Sequence, residues 1–170
     1  MSRQTAFEKR ELRNGFLRFL LRAGAMAGLF LVLFGTVFLL WRVEGQEMSP
    51  SARDGDLLVA LRLRRTCHKN DVVIYQAEGR RLVGRIAAKE HDTVDVTKDG
   101  RLLVNGSLQT DHDFYQTEEK SEELPYTVPE GCVYILADKR TACRDSRDFG
   151  PIPVGKLEGT VIGLFRIRDF

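Results

Sequence analysis

Polar and apolar positions are mixed at the start of the chain, which then runs from Ala23 to Trp41 for 19 residues without a charged side chain. At about 1.5 Å per residue a helix of that length covers roughly 28 Å, close to the roughly 30 Å of a bilayer's hydrocarbon core. The run therefore predicts one transmembrane helix over 23–41. A cleaved leader has a shorter apolar stretch followed by small residues, whereas this one ends Leu39-Leu40-Trp41-Arg42. It is expected to remain as an anchor, with the Trp41 ring at the membrane interface.

Beyond Trp41 the pattern changes. Short apolar runs at Leu57–Leu61, Val72–Tyr75, Leu82–Ala87, Val94–Val96, Leu102–Val104, Val133–Leu136 and Val161–Phe165 alternate with turn pairs such as Asp54-Gly55, Glu78-Gly79 and Asn105-Gly106. This spacing predicts a mainly β domain over 42–170. From Gln109 to Glu123 the chain is polar and acidic with no period, so about 98–128 reads as a smaller lobe or excursion on the β body.

Charge gives the chain a direction. Residues 1–22 carry six basic and two acidic side chains, a balance of +4, while the whole chain stands at +2 and the remainder therefore at −2. A basic N-terminal flank predicts a cytoplasmic segment 1–22 and a C-terminal domain outside the cell membrane. The slightly acidic body argues against a nucleic-acid partner, and 43% apolar content is enough to build a core. Cys67, Cys132 and Cys143 are too few for a disulfide framework; one bridge, Cys132 to Cys143, is the most that is considered. No Cys-x-x-Cys pair or helical histidine spacing points to zinc, and no metal or cofactor is expected. His68, His91 and His112 are scattered through polar stretches, and Asp111-His112-Asp113 reads as a solvated acidic loop.

Three blocks in order then carry a resemblance. The first is Gly45-Gln46-Glu47-Met48-Ser49-Pro50 with Asp54-Gly55-Asp56-Leu57 after it, the second Leu82-Val83-Gly84-Arg85-Ile86-Ala87 with Asp92-Thr93-Val94, and the third Asp138-Lys139-Arg140 with Asp145-Ser146-Arg147-Asp148-Phe149-Gly150. Together they resemble the type I signal peptidases, membrane-anchored serine proteases with a Ser/Lys dyad, from about Gly15 to Phe165. The resemblance implies a signal-peptidase-like β-rich domain in which Met48, Pro50, Arg85, Asp138, Arg140, Asp145, Ser146 and Arg147 are motif and cleft residues. It also implies a structural ion pair between Asp145 and Arg147.

Both members of the dyad are replaced. Glu47 stands where the family has its nucleophilic serine, and Gly84 where it has the lysine kept neutral by burial to take the serine's proton. No catalytic residue is therefore expected. In an extended segment Ser49 would lie about 6–7 Å along from the serine position, too far for attack. Arg80, Arg81 and Arg85 stay protonated and cannot act as bases. Lys89 is read as a surface lysine past the strand end, and Cys143 as a small packed side chain. A carboxyl mechanism would need Asp138 or Asp145 beside Glu47. The changes at 47 and 84 are opposite in volume and could offset each other in a packed site. A partly buried Glu47 needs a cation, from Arg85, Lys139, Arg140 or Arg147, or else a raised pKa.

Signal-peptidase homologues lacking both Ser and Lys resemble this chain closely and are associated with pilus assembly in Gram-positive bacteria. That resemblance implies a non-catalytic accessory or chaperone factor whose partners are proteins or peptides (pilin, sortase or preprotein), with membrane lipid met through the anchor. The competing expectation is an active signal peptidase with an altered catalytic pair.

Overall fold

The computed structural model describes residues 2–63, 66–98, 100–109, 124–140 and 143–166, with side chains from residue 14 onward. The chain divides into two units, 1–37 and 38–170. The first is one helix, α1 (Ser2–Val37). Its stretch Asn14–Val37, 24 residues with a mean hydropathy of 1.9 and none of it buried, is long and apolar enough to cross a membrane.

The helix ends four residues before the apolar run does. Phe38–Arg42 forms strand β1 and pairs antiparallel with β2 (Leu57–Leu61), from Phe38 opposite Leu61 to Arg42 opposite Leu57. Trp41 is thus part of the domain: it is half-buried and packs on a core cluster that includes Leu39, Met48 and Leu58. Apolar composition cannot separate a lipid-facing helix from a strand apolar on both faces, which is why the run read as one element to Trp41.

The second unit is mainly β. The remaining elements are β3 (Val72–Ala77), β4 (Arg80–Lys89), β5 (Thr93–Val96), β6 (Leu102–Val104), β7 (Ser107–Leu108), β8 (Tyr126–Thr127), β9 (Cys132–Leu136), α2 (Ser146–Phe149), β10 (Ile152–Pro153) and β11 (Leu157–Phe165). They form a seven-stranded sheet in the order β1-β2-β11-β3-β4-β9-β10 and a four-stranded sheet in the order β7-β6-β5-β8. Two tight hairpins fix the registers. Ala77 pairs with Arg80 across Glu78-Gly79, and Val104 with Ser107 across Asn105-Gly106. All four turn residues have positive φ, between 48° and 74°, the conformation that suits a two-residue hairpin to the strand twist.

Of the region read as a lobe, β6, β7 and β8 belong to the small sheet, which also includes β5 from Thr93. Its core of Val94, Leu102, Val104 and Val128 packs with Tyr134 and Leu136 of β9. His112, the Asp111–Asp113 loop and the acidic stretch 118–123 lie outside the described residues.

Candidate functional site

The first block is a turn suspended between β1 and β2. Val43 N donates to Asp56 O and Gly55 N to Val43 O, which closes the loop. Gly45, at φ +87°, donates to Asp54 Oδ1 at 2.9 Å; any residue with a Cβ would be strained there. Ser49 N bonds Gln46 O and Ala52 N bonds Met48 O, so residues 46–52 curl rather than extend. The 6–7 Å spacing expected for Ser49 on an extended strand therefore does not apply. Met48, 1% exposed, pins the turn into the core, while Pro50 is exposed after a cis Ser49–Pro50 bond. Glu47 sits half-buried beside Met48, and its carbonyl accepts from Lys139 N at 2.9 Å. That bond ties the first block to the third.

Gly84 lies in the middle of β4, opposite Val73 of β3. A Cβ built on it would stand 2.5 Å from Ile135 Cγ2, 3.2 Å from Tyr75 Cε1 and 3.3 Å from the Leu136 carbonyl oxygen. Ile135 and Tyr75 are themselves buried. The side chains nearest to that position are thus those of Ile135 and Tyr75.

The third block forms an ionic frame. Asp145 caps α2, and its two oxygens accept four bonds: Arg147 N at 3.0 Å, Arg147 Nε at 2.9 Å, Arg147 Nη2 at 2.8 Å and Ala137 N at 3.1 Å. Ser146 Oγ accepts from Ile135 N at 2.9 Å, so the capping turn also holds the strand that plugs Gly84. Burial pulls the Arg147 guanidinium down, but the hydrogen bonds and charge of Asp145 outweigh it and the pKa is raised. Arg85 grips Asp138 bidentately at 2.8 and 2.7 Å and donates to the Asn70 carbonyl at 2.9 Å. Arg140 is buried, and that burial, followed by the nearby Arg147 charge, lowers its pKa.

Of the four cations considered for Glu47, Arg85 and Arg147 are committed to aspartates, and Lys139 Nζ donates to Gln46 Oε1 at 3.3 Å. Among the described residues no ion pair reaches the Glu47 carboxylate. Its pKa rises instead, pushed up by burial and then by the charge of Asp145. The same carboxylates act on their neighbours. Burial, then Glu47 and Asp145, raise the Cys143 thiol, and burial, then Asp145 and Glu47, raise the Tyr75 phenol. Asp145, rather than Asp138, is the carboxylate that influences Glu47. With four donors on its two oxygens it is held as a fixed acceptor.

Glu47 and Met48 line a cleft of about 360 Å³ together with Arg80 to Val83 of β4 and Trp41, Val43 and Glu44. Strand β9 pairs with β4 only from Arg85 to Lys89, so the flank of Arg80–Gly84 beside the cleft has no strand partner among the described residues. Arg81 lies over the Trp41 ring at 4.7 Å and pairs with Glu158 at 2.7 Å. The sequence did not point to Trp41 as a cleft residue, because it had been assigned to the membrane run, nor to Tyr75 and Ile135, which reach Gly84 through the β3–β4–β9 register. Lys89 is the last residue of β4 and half-buried, rather than past the strand end. No cysteine is in a disulfide, so Cys132 and Cys143 are not bridged.

The model of the family described as "Signal peptidase, peptidase S26" matches residues 16–165, and the chain belongs to that family. It is 32% identical over 130 residues to probable thylakoidal processing peptidase 2, chloroplastic, of Arabidopsis thaliana, covering 69% of this chain and 35% of that one. Signal peptidase I V of Bacillus subtilis (strain 168) is 26% identical over 142 residues, covering 74% and 84%. The chain thus spans about a third of the length of the plant relative and most of the bacterial one. Among solved structures, a signal peptidase I from Enterococcus faecalis V583 superimposes with a TM-score of 0.48 at 25% identity, over 56% of this chain and 96% of that one.

Proposed function

We propose that this signal-peptidase family member is non-catalytic and binds an extended segment of another protein in the cleft beside Glu47. The observation that carries the reading is the closure of position 84, where a single added carbon would lie 2.5 Å from Ile135 Cγ2. No amine base can stand there, and a carboxylate in place of a hydroxyl at 47 removes the nucleophile as well. The open flank of β4 along the cleft supports binding by strand addition, in which backbone hydrogen bonds hold the ligand and side-chain pockets select it. The capping and ion-pair frame of Asp145, Ser146 and Arg147, with Arg85–Asp138, supports the cleft's shape and takes no part in chemistry.

In this reading α1 anchors the chain in membrane lipid, the basic segment stays in the cytoplasm and the β domain faces outward. The partners are surface proteins under assembly, a pilin or its sortase, and the role is that of an accessory or chaperone factor. Co-purification from membranes of pilus-forming cells tests this. Pilin or sortase recovered with the chain is the expected result, and recovery of neither contradicts the pilus assignment. The reading as an active peptidase rests on the names of the relatives and has no base at position 84 to support it.

A further inference from the structure

The cleft holds an imbalance of charge that a ligand would correct. Glu47 is half-buried on its wall, with no ion pair from the described residues. Asp145 adds negative potential from behind, and Glu44 adds another carboxylate to the lining. Arg81, also in the lining, is paired with Glu158 and lies over the Trp41 ring, which leaves Arg80 as the lining cation without an ion pair among the described residues. Taking a carboxylate out of water is costly unless a cation meets it. Of the cations nearby, Arg85 is paired with Asp138 and Arg147 with Asp145, while Lys139 Nζ donates to Gln46 Oε1 rather than to Glu47. A cation that pairs with Glu47 can therefore be supplied by a ligand.

We propose that the cleft seats a peptide ammonium group, either a lysine side chain or a free N-terminal amine, against the Glu47 carboxylate, while the peptide backbone runs along the open flank of Arg80–Gly84. The proposal rests on the reading of the cleft as a peptide site and names the chemistry that the site selects. The apolar lining residues Val43, Met48 and Val83 then meet the carbon stem of a lysine ligand, along which its apolar part can pack.

The chain's single tryptophan, Trp41, lines this cleft and reports on its occupancy. The full-length protein in detergent micelles is titrated, with Trp41 emission as readout, against three short alanine-valine peptides. One has both ends capped and carries a lysine, one has both ends capped with norleucine at that place, and one has a free N-terminus and no lysine. At least one charged peptide should bind about tenfold or more tightly than the norleucine peptide, as a charge-assisted bond supplies, and the better of the two identifies the ammonium source. Glu47→Gln should abolish that advantage. Equal binding of charged and neutral peptides, or an advantage that survives in Glu47→Gln, overturns the ammonium assignment and leaves the peptide cleft standing. Failure of every peptide to titrate overturns both.

Discussion

Gly84 and Ile135 meet across the β4–β9 pair so closely that a Cβ on the glycine would lie 2.5 Å from the isoleucine Cγ2. The isoleucine cannot easily withdraw. It is fully buried, its amide is fixed by Ser146 Oγ at 2.9 Å, and Tyr75 closes the other side. Interiors packed this tightly transmit the strain of even one added carbon. The absence of a side chain at position 84 is thus part of the core packing.

Gly84→Ala should destabilise the domain by about 1–3 kcal/mol, the cost of overpacking a well-filled core, and Gly84→Lys by more. Ile135→Ala should itself be destabilising through the cavity it opens. The Gly84→Ala/Ile135→Ala double variant should, however, lose less than the sum of the two single changes, since each relieves the other. Thermal unfolding of the four proteins in one detergent checks this; strict additivity would mean that the two residues do not share the space.

Asp145→Asn should cost about 3–5 kcal/mol, the usual penalty for breaking a buried, hydrogen-bonded ion pair and leaving Arg147 uncompensated. It should also bring the Glu47 carboxyl down toward its ordinary value, because the Asp145 charge is one of the two causes that raise it. Unfolding and an NMR titration of Glu47 read these effects separately. The titration distinguishes an electrostatic link from a purely structural one.

Stability should depend on pH through Glu47. Its folded pKa is raised above the ordinary 4.5 by burial and by Asp145, so the folded state holds the proton more tightly than the unfolded chain. That contribution is fully present below about 4.5 and is lost as pH rises through the folded value. Glu47→Gln should therefore melt higher than the parent at pH 7, with the gap closing toward pH 4. Melting curves across that range provide the check, and a constant gap would count against a raised pKa.

Sequence alone revealed much of this fold because its cues are local. Glu78-Gly79 and Asn105-Gly106 announce two-residue hairpins, since both positions need positive φ, and the apolar runs between turns locate the strands. Strand β1 was hidden because Phe38–Trp41 continues the composition of the membrane run and only its pairing with Leu58–Leu61 makes it a strand. At the site, Glu47 and Gly84 were legible from the motif blocks and the Asp145–Arg147 pair from the resemblance. The filling of position 84 was not, because Tyr75 and Ile135 reach it through non-local register, with a register shift between Ile86 and Ala88 in the β4–β9 pairing. The curl of residues 46–52 was missed for a similar reason: it depends on Met48 being buried and on Lys139 N reaching the Glu47 carbonyl.

The packing at Gly84 also bears on any attempt to rebuild a protease. Glu47→Ser with Gly84→Lys returns the two residue types but not the room for the lysine. Cleavage should remain absent in that pair, and any that is gained should require Ile135→Ala as a third change. An assay of the double and triple variants on one preprotein checks the order; robust cleavage by the double variant would mean that Ile135 and Tyr75 yield more readily than their burial implies.

The most direct test of the central claim is turnover by the natural sequence. The full-length protein, purified in detergent, is incubated with a preprotein carrying a small-x-small cleavage site, beside Glu47→Ala. Neither protein should cleave it; cleavage by the natural sequence that Glu47→Ala abolishes would contradict a non-catalytic role.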